Sequence, residues 1–256
     1  MNTLELRRER DVGALFRDAL AVFGRHALLF IALSAAVAVP AELIVEGVGL
    51  EMFTASYDES PPLAEMAIPA LVKFLVVTPI IAAICIYALH QIAAGERPSP
   101  GQVLVAGFEA FTPLFAAVAL AVAGIVLGFA ALIVPGIYLT VRWYFVPQTV
   151  VIEGARGPLA LSRSGLLVQG FWWRTLALVL LANIAVALPS FILLTPFAAI
   201  AESTDRAVWA MAGSAITTSV TTPFVALFST LLYYDLRARA ESPFGADVQG
   251  DQPRTL

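Results

Sequence analysis

Arg142 is the charged residue of this 256-residue chain that is hardest to place. It lies inside an apolar run from about Ile137 to Ile152, where burying a charge costs about 3 to more than 10 kcal/mol. A guanidinium there can contact an anion or a lipid headgroup, or it can form a structural ion pair. Glu42 and Glu46 are the candidate carboxylate partners. We expect these three residues to form an intramembrane polar site whose role is mainly structural.

Four further arginines flank apolar runs and are candidates for contacts with lipid headgroups. They are Arg17, Arg25, Arg163 and Arg174. An arginine near an anionic leaflet contributes about 1 kcal/mol of attraction. Lys73, near the start of another apolar run, is expected to extend its ammonium group to the opposite interface.

Catalytic and metal-binding patterns are weak in this sequence. His26 and His90 are its only histidines, and two histidines without a third ligand are poor evidence for a metal site. The chain contains no phosphate-binding glycine loop, nucleophile elbow or zincin motif. We therefore expect no cofactor, no metal and no catalytic residue, and hence a protein that is not an enzyme.

The composition predicts an all-α integral membrane protein. The chain is 59% hydrophobic and 13% charged, whereas soluble domains carry about 25% charged residues. So much apolar surface in a soluble fold would leave large exposed patches. The apolar runs are long and continuous, which favours helices over a barrel. No dense basic patch lies outside the membrane-flanking segments, so nucleic acid is not an expected partner.

Six apolar runs predict six transmembrane helices, because about 20 apolar residues span the hydrocarbon core. The runs cover about Ala27–Val48, Ile68–Ile92, Pro113–Val134, Ile137–Ile152, Thr175–Ile200 and Ala207–Tyr233. The fourth run is short and contains Arg142, so a re-entrant segment is the alternative to a full crossing. Pro135-Gly136 is expected to separate it from the third.

The distribution of arginines predicts the orientation of these helices. With six crossings, three groups of arginines fall on one side of the membrane. They are the arginines before the first run, those between an even-numbered run and the next odd-numbered run, and those after the last run. The opposite side carries mainly carboxylates, among them Asp58, Glu59 and Glu65. We therefore expect both termini to be cytoplasmic. A five-crossing arrangement would place the last arginines on the wrong side.

Each pair of crossings is expected to follow an amphipathic helix at the cytoplasmic interface. In Asp11–His26 the apolar residues recur with the period of one helical face, and Asp11 can cap the helix. Three such units, near 11–92, 99–152 and 157–236, form pseudo-repeats within a single membrane domain over 1–240. Chance similarity between alanine- and leucine-rich helices is the alternative. Residues 241–256 are expected to be a disordered tail.

The segment Leu132–Arg174 carries a resemblance to a known family. It contains Val-Pro-Gly-Ile-Tyr, then Val-Arg-Trp-Tyr-Phe-Val-Pro, then Ala-Leu-Ser-Arg-Ser, and the chain later has Leu-Tyr-Tyr-Asp-Leu-Arg at Leu232–Arg237. Together these resemble the glycerophosphoryl diester phosphodiesterase membrane-domain family and related bacterial six-helix inner-membrane proteins. The resemblance implies six helices in the bacterial plasma membrane. It implies little about activity, because the family is named after proteins that append a catalytic barrel, and no such barrel is expected in this sequence.

Two functions remain open from the sequence. The first is a non-enzymatic multipass protein that interacts with membrane lipids or with a protein partner at the cytoplasmic face, with a homo-oligomer as one form of that partner. The second is a transporter or channel for a small solute, favoured by Arg142, by the repeats and by prolines inside the spans. Few polar residues lie in the spans, which favours the first.

Overall fold

The structure, a computed structural model, describes residues 5–45 and 70–241. Within these ranges the chain forms ten α-helices with defined bounds and one π-helix, and residues 70–72 are also helical. The α-helices are α1 Val12–Arg25, α2 Ala27–Val45, α3 Thr78–Ala93, α4 Pro100–Glu109, α5 Phe111–Ala131, α6 Ile133–Arg142, α7 Val146–Glu153, α8 Pro158–Val168, α9 Trp172–Thr204 and α10 Ala207–Glu241; the π-helix is Lys73–Val77. Glu46 and the predicted tail beyond residue 241 lie outside the described residues.

Five helical segments in the described part of the chain are long and apolar enough to cross a membrane. They are Ala27–Ile44, Ala70–Ala93, Phe111–Ala131, Trp172–Thr204 and Ala207–Glu241. Their outward surfaces are strongly apolar: Leu28 is 86% exposed and Phe191 68%. Exposed apolar surface of this extent on helices of this length is typical of a protein embedded in lipid. The predicted all-α membrane fold is confirmed at this level.

The core forms around the C-terminal half of α10. From Pro223 to Leu236 most side chains of this helix are buried, and α1, α2, α3 and α9 all contact it. Phe16 of α1 packs against Phe228 with ring centroids 4.6 Å apart. The long helix α10 is therefore the central element of the bundle.

α1 begins where the sequence predicts, but its apolar side has a different partner. The carboxylate of Asp11 accepts a hydrogen bond of 2.6 Å from the amide of Ala14 and so caps the helix. Leu15, Ala19 and Val22 are buried because they pack on the bundle. The sequence predicts an amphipathic helix at the membrane interface; in the structure the buried side of that helix packs on α10 and not on lipid.

The predicted fourth crossing is not a single helix. α6 ends at Arg142, residues 143–145 form a turn, and α7 starts at Val146. Pro147 lies in the first turn of α7, where its missing N–H removes no intrahelical hydrogen bond. Pro135 likewise lies in the first turn of α6, so the chain breaks at Leu132, in extended conformation, and not at Pro135-Gly136.

Glycines bring α5 and α6 into close contact. A Cβ on Gly128 would lie 3.1 Å from the Cα of Gly136, and a Cβ on Gly136 would lie 2.4 Å from the ring of Phe129. Further along, Val146 and Val150 of α7 belong to the same apolar cluster as the beginning of α5. The α6–α7 segment thus runs back along α5 to the end of the bundle where α5 starts.

We expect Gly136→Ala to destabilise the fold by about 1–3 kcal/mol, because the added methyl group collides with the ring of Phe129. The free energy of unfolding in mixed detergent micelles measures the effect. Gly24→Ala is the matched control, since Gly24 is also helical but nothing lies within 4 Å of its would-be Cβ. That variant should be neutral or gain up to about 1 kcal/mol. Equal stability of both variants would contradict the close packing of α5 and α6.

Candidate functional site

The structure separates Arg142 from its expected partners. Arg142 is exposed at the end of α6, and its Nη1 donates a hydrogen bond of 2.8 Å to the hydroxyl of Tyr138. Its side chain also lies against Gly165 of α8, where a Cβ would come within 2.8 Å of Nε. The guanidinium carbon lies 5.8 Å from the centroid of the Tyr138 ring, and that ring in turn stacks on Trp172. The predicted pairing of Arg142 with Glu42 is not formed, and Glu46 is outside the described residues.

Glu42 belongs to a different polar cluster, formed with Lys73 and Ser214. The Nζ of Lys73 lies 2.8 Å from Oε1 of Glu42 and donates to the Ser214 hydroxyl at 2.9 Å. That hydroxyl donates to Oε1 of Glu42, also at 2.9 Å. The Oε2 atom of Glu42 has no hydrogen-bond partner among the described residues. We call Glu42 and Lys73, together with the bridging hydroxyl of Ser214, the intramembrane ion pair, since all three residues lie in membrane-capable helices.

The π-helix Lys73–Val77 explains how Lys73 enters the bundle. Thr78 and Pro79 follow directly, and Pro79 lies in the first turn of α3. Because proline has no N–H and its ring crowds the preceding turn, the chain there widens instead of continuing as an α-helix. Single π-turns are frequent at functional sites. Lys73, which was expected to extend its ammonium group to the interface, pairs with Glu42, which is 4% exposed.

A second polar cluster surrounds Asp235 at the other end of α10, roughly 30 Å from Ser214 at 1.5 Å per residue. The Asp235 side chain is fully buried. It accepts hydrogen bonds from the backbone amide of Arg10 at 2.6 Å, from Nη2 of Arg174 at 3.0 Å and from Nε of Arg239 at 3.1 Å. Both guanidinium groups also donate to the carbonyl of Arg10, at 2.7 and 2.9 Å. We call these residues the Asp235 clamp.

The side chain of Arg10 fastens the segment before α1 to the same clamp. It is fully buried, and its donors reach Asp18 at 2.9 Å and the carbonyls of Leu6 and Glu5 at 2.8 and 2.6 Å. Burial raises the pKa of the Asp18 carboxyl, but hydrogen bonds from Arg10 and Arg8 lower it more, so its pKa lies below the ordinary value. The carboxylate therefore stays charged, and the buried guanidinium keeps its partner.

The four predicted headgroup arginines divide into two pairs. Arg163 lies 2.6 Å from the carboxylate of Glu153, and Arg174 is part of the Asp235 clamp. Both therefore form ion pairs within the protein. Arg17 and Arg25 are exposed on α1 and have no acidic partner among the described residues.

Sequence reasoning missed most of what surrounds these clusters. Neither Arg10 nor Asp235 was among the candidate site residues. The available signal for this cluster was Asp235 itself, a single carboxylate that follows two tyrosines and precedes Arg237 by two positions. Ser214 carried none, since hydroxyl side chains are common in membrane helices. In the described residues no group of three His, Cys, Asp or Glu side chains is placed to hold a metal ion.

Asp235→Asn should destabilise the protein by about 3 kcal/mol, because two guanidinium groups lose their shared carboxylate. This loss of stability is at the lower end of the range for breaking a buried ion pair, since both arginines keep some contact with solvent. The midpoint of denaturation by SDS in mixed micelles reports the change. Glu241→Gln, which removes an exposed carboxylate from the same helix, should cost only about 0.3–0.5 kcal/mol. Similar losses in both variants would refute the clamp.

The intramembrane ion pair predicts strong coupling between Glu42 and Lys73. Lys73→Met leaves the buried carboxylate without its cation and should cost about 3–5 kcal/mol. The double variant Glu42→Gln with Lys73→Met should be more stable than Lys73→Met alone, because the stranded charge is gone. A double-mutant cycle on the free energy of unfolding measures this coupling. Simple additivity of the two single substitutions would show that the residues do not interact.

No family model matches this chain, and neither a curated protein nor a solved structure does. The resemblance drawn from Leu132–Arg174 and Leu232–Arg237 therefore stays a prediction. What the protein does must be inferred from the contacts of its own residues.

Proposed function

We propose that the chain crosses a bacterial plasma membrane six times, with both termini in the cytoplasm. Contacts at the Asp235 clamp support this topology, because Arg174 at the start of α9 meets Asp235 near the end of α10. If α5 crosses the membrane, the chain must return before α9 begins. The α6–α7 segment supplies that return with about 27 Å of helix at 1.5 Å per residue, close to the thickness of the hydrocarbon core.

The proposed function is non-enzymatic binding of anionic membrane lipids at the cytoplasmic face. One observation carries it: Arg17 and Arg25 project from α1 without an acidic partner in the described structure, beside exposed apolar side chains. Leu20 between them is 56% exposed, and Leu28 just after them is 86% exposed. A basic and apolar strip of this kind suits a phosphate headgroup and the adjoining acyl chains. We call Arg17, Leu20, Arg25 and Leu28 the lipid strip.

The family resemblance is part of the same proposal. Proteins of the glycerophosphoryl diester phosphodiesterase membrane-domain family place six helices in the membrane, and the crossings proposed here agree with that number. The resemblance extends only to the membrane part. A protein partner or a second copy of the chain would occupy the same cytoplasmic face.

Transport of a small solute is the second candidate, and the intramembrane ion pair is the observation that favours it. A charged pair within membrane-capable helices is costly and is often retained for function. If the chain transports a solute, a variant lacking both Glu42 and Lys73 charges should fold but lose uptake in reconstituted vesicles. Unchanged uptake would leave the ion pair with a structural role.

Replacing both arginines of the lipid strip by glutamine should weaken binding of phosphatidylglycerol about 30-fold, at about 1 kcal/mol per arginine. Native mass spectrometry of the protein released from mixed phosphatidylglycerol and phosphatidylcholine nanodiscs counts the retained lipids. Arg206→Gln is the control, because Arg206 is an exposed arginine on the α9–α10 connection at the opposite end. Equal phosphatidylglycerol retention by the double variant and the control would refute the proposal.

A further inference from the structure

An apolar cavity of about 410 Å³ lies within the bundle, between α3, α5, α7, α9 and α10. Its volume is in the range of sites for small molecules. Val118 and Ile125 of α5 and Val225 of α10 form part of its wall. The described lining residues include no charged side chain. A ligand of this cavity must therefore be largely apolar and carry no net charge.

Gln148 is the polar residue that indicates which functional group a ligand of this cavity should carry. It is 2% exposed and follows Pro147, whose ring starts α7 at the break after α6. Its Nε2 donates a hydrogen bond of 2.9 Å to the hydroxyl of Ser229. Its Oε1 is buried and accepts no hydrogen bond from any described residue. A buried acceptor without a donor is costly, so this oxygen favours a ligand that brings an O–H or N–H group.

The orientation of the Gln148 amide follows from its neighbour. The hydroxyl of Ser229 donates to the carbonyl of Ala226 at 3.0 Å. It therefore has only its lone pairs to offer Gln148, and the amide must present its N–H₂ group to Ser229 and its oxygen elsewhere. The unpaired atom of this cavity-lining residue is thus an acceptor and not a donor.

The mouth of the cavity lies within membrane-capable helices. Phe74 and Asn183 line the cavity and are exposed on the outer surface. Both belong to segments that can cross the hydrocarbon core, Ala70–Ala93 and Trp172–Thr204. A ligand would therefore enter sideways from the lipid phase.

We propose that this cavity binds a neutral lipid through one apolar chain that ends in a hydroxyl group, with the hydroxyl donating to Oε1 of Gln148. The uncharged walls disfavour a phosphate headgroup, which distinguishes this site from the lipid strip on α1. A carboxylate or phosphate would lose its hydration without gaining a cation. The hydroxyl satisfies the one acceptor that the protein leaves unpaired, and the chain fills the apolar wall.

Photolabelling in phosphatidylcholine nanodiscs tests the proposal with two probes, a diazirine-bearing hexadecanol and its methyl ether. The alcohol should label α5 or α7 about tenfold more than the ether, because only the alcohol donates a hydrogen bond. Gln148→Leu should lower alcohol labelling to the level of the ether and leave ether labelling unchanged. Gln169→Leu, at an exposed glutamine after α8, should keep the tenfold preference.

A second variant keeps the test decisive if Gln148→Leu fails to fold. Ala121 lines the cavity and is 5% exposed, so Ala121→Leu should reduce labelling by both probes by filling the space. Equal labelling by alcohol and ether, or a retained preference in Gln148→Leu, would overturn the proposal. The double glutamine variant of Arg17 and Arg25 should label normally, so failure at the lipid strip and failure at the cavity are distinguishable.

Discussion

The rest of the structure depends on the buried carboxylate of Asp235. Removing a carboxylate from water is costly unless hydrogen bonds and opposite charges replace its hydration. Arg174, Arg239 and the backbone of Arg10 supply that replacement. Since these groups come from three separate parts of the chain, the clamp can form only when the N-terminal segment, the start of α9 and the end of α10 meet. This constraint places those three parts at one end of the bundle.

The long helix α10 connects the polar features of the molecule. Ser214 completes the intramembrane ion pair near its beginning, Ser229 orients Gln148 midway, and Asp235 anchors the clamp toward its end. The hydroxyl of Ser229 donates locally to the carbonyl of Ala226 and can therefore accept from Gln148, whereas the hydroxyl of Ser214 accepts from Lys73 and donates to Glu42. Polar groups are thus spaced along one helix, while the apolar sides of α1, α2 and α3 cover the space between them.

The position of each arginine decides what it can bind. Arg174 and Arg163 were expected to contact lipid. In the structure Arg174 forms an ion pair with Asp235, and Arg163 forms one with Glu153. Arg17 and Arg25 lie on the side of α1 that faces away from α10 and stay accessible. The periodicity of α1 predicted which side is apolar but not which surface covers it, because lipid and a neighbouring helix are equally apolar. For Arg142, too, the sequence did not predict the partner: its guanidinium donates a hydrogen bond to Tyr138 and not to Glu42.

Composition and periodicity alone determined the all-helical membrane class, the positions of five membrane-capable helices and the cap of α1 at Asp11. These features follow from local chemistry: long apolar runs need helical hydrogen bonding in lipid, and a capping carboxylate acts within one turn. Only the tertiary structure decided that Glu42 meets Lys73, that Arg10 and Arg174 meet Asp235 and that Gln148 keeps an unpaired oxygen beside a cavity. Those outcomes depend on which helices become neighbours, and side chains that lie far apart along the chain leave no shared pattern in the sequence.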